Sequence, residues 1–88
     1  MLIDVVSIRV QPNFHLDLEF ENGEYRRFDM RPLLLMSPWN RVASPEVFRR
    51  ARIDYGTVVW LGEIDIAPET LYDDSVPISG IDGEVASS

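Results

Sequence analysis

The sequence predicts an α+β domain with one small, mainly antiparallel sheet of five to six strands and two or three short helices, and three observations carry that reading. Phe14, Leu16, Leu18 and Phe20 alternate with His15, Asp17, Glu19 and Glu21, the period of two expected of a strand with one face on a core. Asn22-Gly23 follows at once, and because both residues tolerate positive φ the pair marks a hairpin. Ser44-Pro45-Glu46 opens a helix, with serine as N-cap, proline in the first helical position and an acid near the positive end of the dipole.

Taken in order, residues 5–10 are β-branched and partly alternating up to Pro12-Asn13, which reads as a first strand. The Asn22-Gly23 hairpin joins the second strand to residues 24–28. A plain two-residue turn sets Leu18 opposite Arg27 and Asp17 opposite Phe28, mixing the faces. A longer loop, or a bulge near Arg26-Arg27, is therefore expected to set Phe28 opposite Leu18. Residues 32–36 read as a short helix behind Pro32, stopped by Ser37-Pro38. The helix starting at Pro45 is expected to run to about residue 51, with Val47, Phe48 and Ala51 toward the core and Arg49 and Arg50 outward.

Residues 52–55 are extended, Gly56 turns the chain, and residues 57–61 form an apolar run short enough to be a central strand buried on both faces. Gly62-Glu63 fits a type II′ hairpin that pairs Trp60 with Asp65 and Val59 with Ile66. Pro68 starts a helical turn that lays Leu71 and Tyr72 over the sheet edge. The core signals end there, so residues 1–72 are read as one domain and residues 73–88 as a flexible acidic tail.

Composition bounds the chemistry. A chain of 88 residues encloses a single core. With 45% hydrophobic and 26% charged residues it has globular rather than disordered usage. The absence of cysteine removes disulfides, thiolate metal sites and thiol nucleophiles. The N-terminus shows neither a basic n-region nor a long apolar run, which leads to the expectation of a cytoplasmic protein with no membrane partner.

Phe20-Glu21-Asn22-Gly23-Glu24, Phe28-Asp29, Pro32-Leu33, Phe48, Asp54-Tyr55-Gly56-Thr57-Val58-Val59-Trp60 and the run from Asp65 to Tyr72 together resemble the small bacterial proteins grouped as domain of unknown function 2442. The resemblance covers about residues 1–74. It implies an α+β fold with a mainly antiparallel sheet and brings no catalytic residues. Some longer members append a helical domain similar to repressor-type DNA-binding domains, and others are encoded beside a second small protein in an arrangement suggestive of a toxin–antitoxin pair. Residues 73–88 cannot make a helix-turn-helix, so a DNA-binding role does not carry over.

The remaining candidates come from the residues themselves. His15, Asp17 and Glu19 share a strand face, but same-face positions lie roughly 7 Å apart, so the expectation is a polar face with Glu19 or Asp17 paired to Arg26 or Arg27 rather than a metal site. No serine has a nucleophile or oxyanion-loop signature and no phosphate-cradling glycine loop is present, so neither cofactor nor catalytic residue is expected. Charge is more informative: residues 26–52 hold seven arginines against Asp29 and Glu46, a net +5 in a chain of net −7. Internal pairing of those arginines is one reading, and a face for an acidic partner is the other. Overall acidity argues against nucleic acid.

Trp39, Arg41, Arg49, Arg50 and Arg52 are the expected partner-binding residues, Trp39 because a tryptophan beside an arginine in a loop suits an interface anchor. The function expected is a non-catalytic protein-interaction or regulatory module, antitoxin-like within a two-protein system, with a homo-oligomer through an open sheet edge also in view. The alternative is a small-molecule-binding domain or enzyme of unknown reaction with a cleft near Tyr55, Trp60 and Asp65.

Overall fold

The computed structural model describes residues 3–80. Among these residues the fold is α+β, with seven antiparallel strands divided between two sheets. The larger sheet has the order β1 (Val5–Gln11), β2 (His15–Phe20), β3 (Tyr25–Asp29), β7 (Ser75–Pro77), and the smaller the order β4 (Arg52–Asp54), β5 (Thr57–Trp60), β6 (Ile64–Asp65). Two 3-10 turns, Leu33–Leu35 and Trp39–Val42, and the helices α1 (Pro45–Phe48) and α2 (Pro68–Asp73) connect and cap them. No helix among the described residues is long and apolar enough to cross a membrane.

The alternation of β2 translates directly into packing. Leu16, Leu18 and Phe20 are fully buried, and they meet Phe28 and Met30 from β3 and its exit, Val58 and Trp60 from β5, and Ile64 and Ile66 around β6. The two sheets thus share one core, which Val42, Phe48 and Leu71 close from the connecting segments.

Both hairpin registers differ by a residue or more from expectation, for a common reason. The β2–β3 loop is longer than two residues, as expected, but the extra residue is Glu21: Gly23 N–H bonds to Phe20 O at 2.9 Å, and Phe20 N–H to Glu24 O at 2.9 Å. Gly23, at φ +90°, supplies the left-handed position such a three-residue loop needs. Phe28 therefore faces Leu16 rather than Leu18. At the second hairpin, Leu61-Gly62-Glu63 form the loop and Trp60 pairs with Ile64, Val59 with Asp65. The expected two-residue turn would have put Asp65 opposite the buried Trp60; the observed register buries Ile64 and Ile66 and exposes Asp65.

The helices are shorter than their start signals suggest. Residues 32–36 wind only as a 3-10 turn, with Leu33 N–H on Met30 O. Ser44 occupies the N-cap of α1 in extended conformation and Pro45 the first turn, but the serine hydroxyl makes no cap bond. Beyond Phe48 the chain tightens through Arg50 N–H to Val47 O and Ala51 N–H to Phe48 O, then leaves for β4. One helical turn docks through Phe48 alone, so Val47, expected in the core, is 38% exposed.

The ordered domain runs past Tyr72. Leu71 is buried by α2 as expected, yet Ser75–Pro77, assigned to the tail from sequence, form the edge strand β7 on β3, with Arg27 opposite Val76. Arg26 fixes this strand by bonds to Ser75 Oγ (2.7 Å) and Ser75 O (2.9 Å). Val76 and Pro77 carry little hydrophobic periodicity, and Pro77 suits an edge. Residues 81–88 of the expected tail lie outside the described residues.

Candidate functional site

The arginine-rich segment divides in two. Arg26 pairs with Glu24 at 2.9 Å, Arg27 with Asp17 at 2.6 Å and Arg31 with Asp29 at 2.9 Å, so the first three arginines are neutralised by neighbours on the larger sheet. Arg41, Arg49, Arg50 and Arg52 are exposed, and none of them has an ion pair or side-chain hydrogen bond among the described residues. Internal pairing therefore accounts for one half of the segment and leaves the other half facing solvent.

Two of those four come together. Arg41, at the end of the second 3-10 turn, and Arg50, just after α1, flank a cleft of about 270 Å³ floored by Val42, Val47, Trp60, Leu61 and Ile64. Its walls follow from local structure. The short α1 leaves Val47 outward, and the β5–β6 loop projects Leu61, which is 75% exposed. Gly62 lets Arg41 lie against the loop backbone: its φ is +90°, and a Cβ there would sit 3.1 Å from Arg41 Nη2. The cleft is thus apolar at its base and doubly cationic at its rim.

The other predicted residues go elsewhere. Trp39 donates its indole N–H to Asp65 O at 2.9 Å and packs, half-buried, against the core. It thereby ties the second 3-10 turn to the backbone of β6. Arg49 lies on the opposite side of α1, beside Phe14 and Phe48. Arg52 borders a separate groove of about 380 Å³ on the outer face of the smaller sheet.

That groove gathers Tyr55, Trp60 and Asp65, the residues of the alternative cleft. Within it Val59 sits between Arg52 and Asp65 by register. Trp60 contributes little surface, being 1% exposed, stacked on Phe48 at 5.8 Å and bonded through Nε1 to Phe48 O at 3.0 Å. Leu61 borders both the groove and the cleft. Sequence reasoning did not single it out, although an aliphatic residue directly before a loop glycine at the end of a buried strand is the available signal.

His15, Asp17 and Glu19 share a face, but they do not converge. His15 turns to Asp29 at 3.7 Å, while Asp17 accepts Arg27 and Gln11. No group of three histidine, cysteine or acidic residues that could hold a metal ion occurs among the described residues. The pairing of Asp17 with Arg27 is as expected; its complete burial is not.

Fold and surface together define a two-sheet α+β domain that presents, around an apolar cleft, arginines with no acidic partner among the described residues. The chain belongs to the family described as Protein of unknown function (DUF2442), whose model matches residues 5–77. No curated protein and no solved structure matches it.

Proposed function

We propose that this protein is a non-catalytic protein-interaction module whose contact face is the cleft between Arg41 and Arg50, taking an acidic segment that also carries apolar side chains, aliphatic or aromatic. The observation that carries the reading is the split of the arginines. In a chain of net charge −7, where acids are abundant, Arg41 and Arg50 have no acidic partner among the described residues and stand over exposed Val47 and Leu61. Guanidinium groups beside apolar surface suit an interface, since they present planar donor forks and are only weakly hydrated. In a two-protein regulatory arrangement of the antitoxin-like kind, this face would select an acidic stretch of the partner.

Peptide display against the immobilised protein tests it. Selection of sequences that combine acids with aliphatic or aromatic residues, lost on R41E/R50E substitution, is the expected result. Selection indifferent to that substitution would refute the proposal.

A second reading, a small-molecule site, draws on the groove that Tyr55, Trp60 and Asp65 line together. A ligand-induced rise in melting temperature that Asp65→Asn abolishes would favour it over the interaction module.

A further inference from the structure

Tyr55 is the least economical residue on the surface. Tyr55-Gly56 is the two-residue turn between β4 and β5, flanked by the Asp54–Thr57 pair, and both turn residues have positive φ, +54° and +74°. Such a turn favours asparagine or aspartate before glycine; a bulky aromatic residue there is strained. Its ring gives nothing back to the fold, since Tyr55 is 92% exposed. Strain held at a surface aromatic points to a contact outside the molecule.

The turn is also fixed and acidic. Gly56 O accepts Val5 N–H at 2.9 Å. The Asp4 carboxylate lies so close to Gly56 that a Cβ would fall 2.5 Å from its carboxyl carbon. Tyr55 is therefore a pinned aromatic knob with Asp4 and Asp54 beside it.

The same chain carries the matching hole. The Arg41–Arg50 cleft offers two cations for the face and rim of a phenol ring and for the flanking carboxylates, over an apolar floor. Tyr55 does not line the cleft of its own chain, although the groove it borders shares Trp60, Leu61 and Ile64 with that cleft, and its ring stands free in solvent. We infer that copies of this chain associate head to tail, with Tyr55 of one copy entering the Arg41–Arg50 cleft of the next. This deepens the reading of the cleft as an interaction face and rests on it, by naming a second copy as the partner. The contact joins different patches on the two copies, so it is heterologous.

Sedimentation velocity over a wide concentration range, at low and high salt, tests the inference on the full chain. Wild type is expected to self-associate, less so at high salt. Tyr55→Asn suits the left-handed turn and preserves or raises the melting temperature, yet it weakens association about tenfold or more. Arg50→Glu does the same from the other side. Because Tyr55→Asn keeps the cleft and Arg50→Glu keeps the knob, an equimolar mixture regains a one-to-one complex that neither variant forms alone. Wild type that stays monomeric throughout, Tyr55→Asn that associates like wild type, or a mixture that stays monomeric would each overturn the inference. If wild type is monomeric but a cyclic peptide copying residues 53–58 binds the cleft and is lost on Arg50→Glu, self-association is refuted while the interaction face stands.

Discussion

Arg27 grips Asp17 through two hydrogen bonds, Nε to Oδ1 at 2.6 Å and Nη2 to Oδ2 at 2.9 Å, directly across the β2–β3 register. Gln11 adds a third at 3.0 Å to Oδ2. The two long side chains lie over the carboxylate, which is 0% exposed although it stands on the polar face of β2.

A carboxylate sealed in this way depends on its partner. Arg27→Leu leaves the charge under Gln11 alone and is expected to cost about 2–4 kcal/mol of stability. The double substitution Asp17→Leu/Arg27→Leu is expected to recover most of that loss. Urea unfolding of both single variants and the double variant measures the coupling. Losses that simply add would show that the pair does not act as a unit.

Acid stability depends on a neighbouring pair. Arg31 side-chain hydrogen bonds, helped by its backbone N–H and by the charge of His15, bring Asp29 down from 3.8 to about 2. A carboxyl with a lowered folded-state pKa contributes fully above its unfolded value, and the contribution is lost as the pH falls through about 2. Glu24 is also held below its ordinary 4.5, first by the Tyr72 hydroxyl, and acts in the same direction. Melting temperatures recorded between neutral and strongly acid pH should fall along this limb, and Asp29→Asn should flatten it by a small amount because water screens these exposed groups. An unchanged acid limb in Asp29→Asn would contradict the assignment.

The bond from Tyr72 to Glu24, at 2.5 Å, has an alkaline counterpart. It raises the Tyr72 pKa above 10.0, so its contribution is complete below that value and is lost as the pH rises through the higher folded-state value. Tyr72→Phe keeps the edge contact with Phe20 (5.3 Å) but removes the hydroxyl. Carboxyl-carbon NMR should then show Glu24 titrating closer to 4.5 than in wild type. No movement of the Glu24 titration would refute the link.

Trp39 behaves as a clamp on β6. Trp39→Ala removes half-buried packing and the indole bond to Asp65 O. A cost of about 2 kcal/mol is expected, and for a domain of this size that lowers the melting temperature by roughly 10 °C. Trp39→Phe keeps most of the packing and should lose less than half as much. Near-native stability in Trp39→Ala would instead return this residue to the interface reading.

Much of the fold was legible because its strongest elements obey short-range rules. The alternation from Leu16 to Phe20 marked the buried face, and the turn residues Gly23, Gly56 and Gly62 all stand at positive φ. Registers were less legible, since moving one residue between strand and loop leaves the turn sequence unchanged. What selects the observed register is the joint burial of Ile64 and Ile66, which only the assembled core enforces. β7 was invisible for a related reason: its hold on the sheet comes from Arg26 reaching Ser75 across 49 residues of sequence. At the candidate site the sequence supplied the charge but not its division. Arg26, Arg27 and Arg31 find acids on neighbouring strand or turn positions, whereas Arg41 and Arg50 meet only through the approach of α1 to the β5–β6 loop.

The place of β7 predicts how the chain tolerates shortening. A chain ending at Tyr72 loses Ser75, the Arg26 bonds to it and the Ile78 N–H bond to Tyr25 O. It should unfold at lower urea concentration than one ending at Gly80, which retains all of them. Equal midpoints for the two chains would show that β7 contributes nothing to the domain.

The central claim concerns the cleft, and amide NMR reads it most directly. Titrating isotope-labelled protein with a peptide of alternating glutamate and leucine should move the signals of Arg41, Val42, Val47, Arg50 and Leu61 together and leave those around His15 and Arg27 in place, and it should move none of these signals in R41E/R50E. Shifts that centre elsewhere, or that persist in R41E/R50E, would contradict the assignment of this cleft as the interaction face.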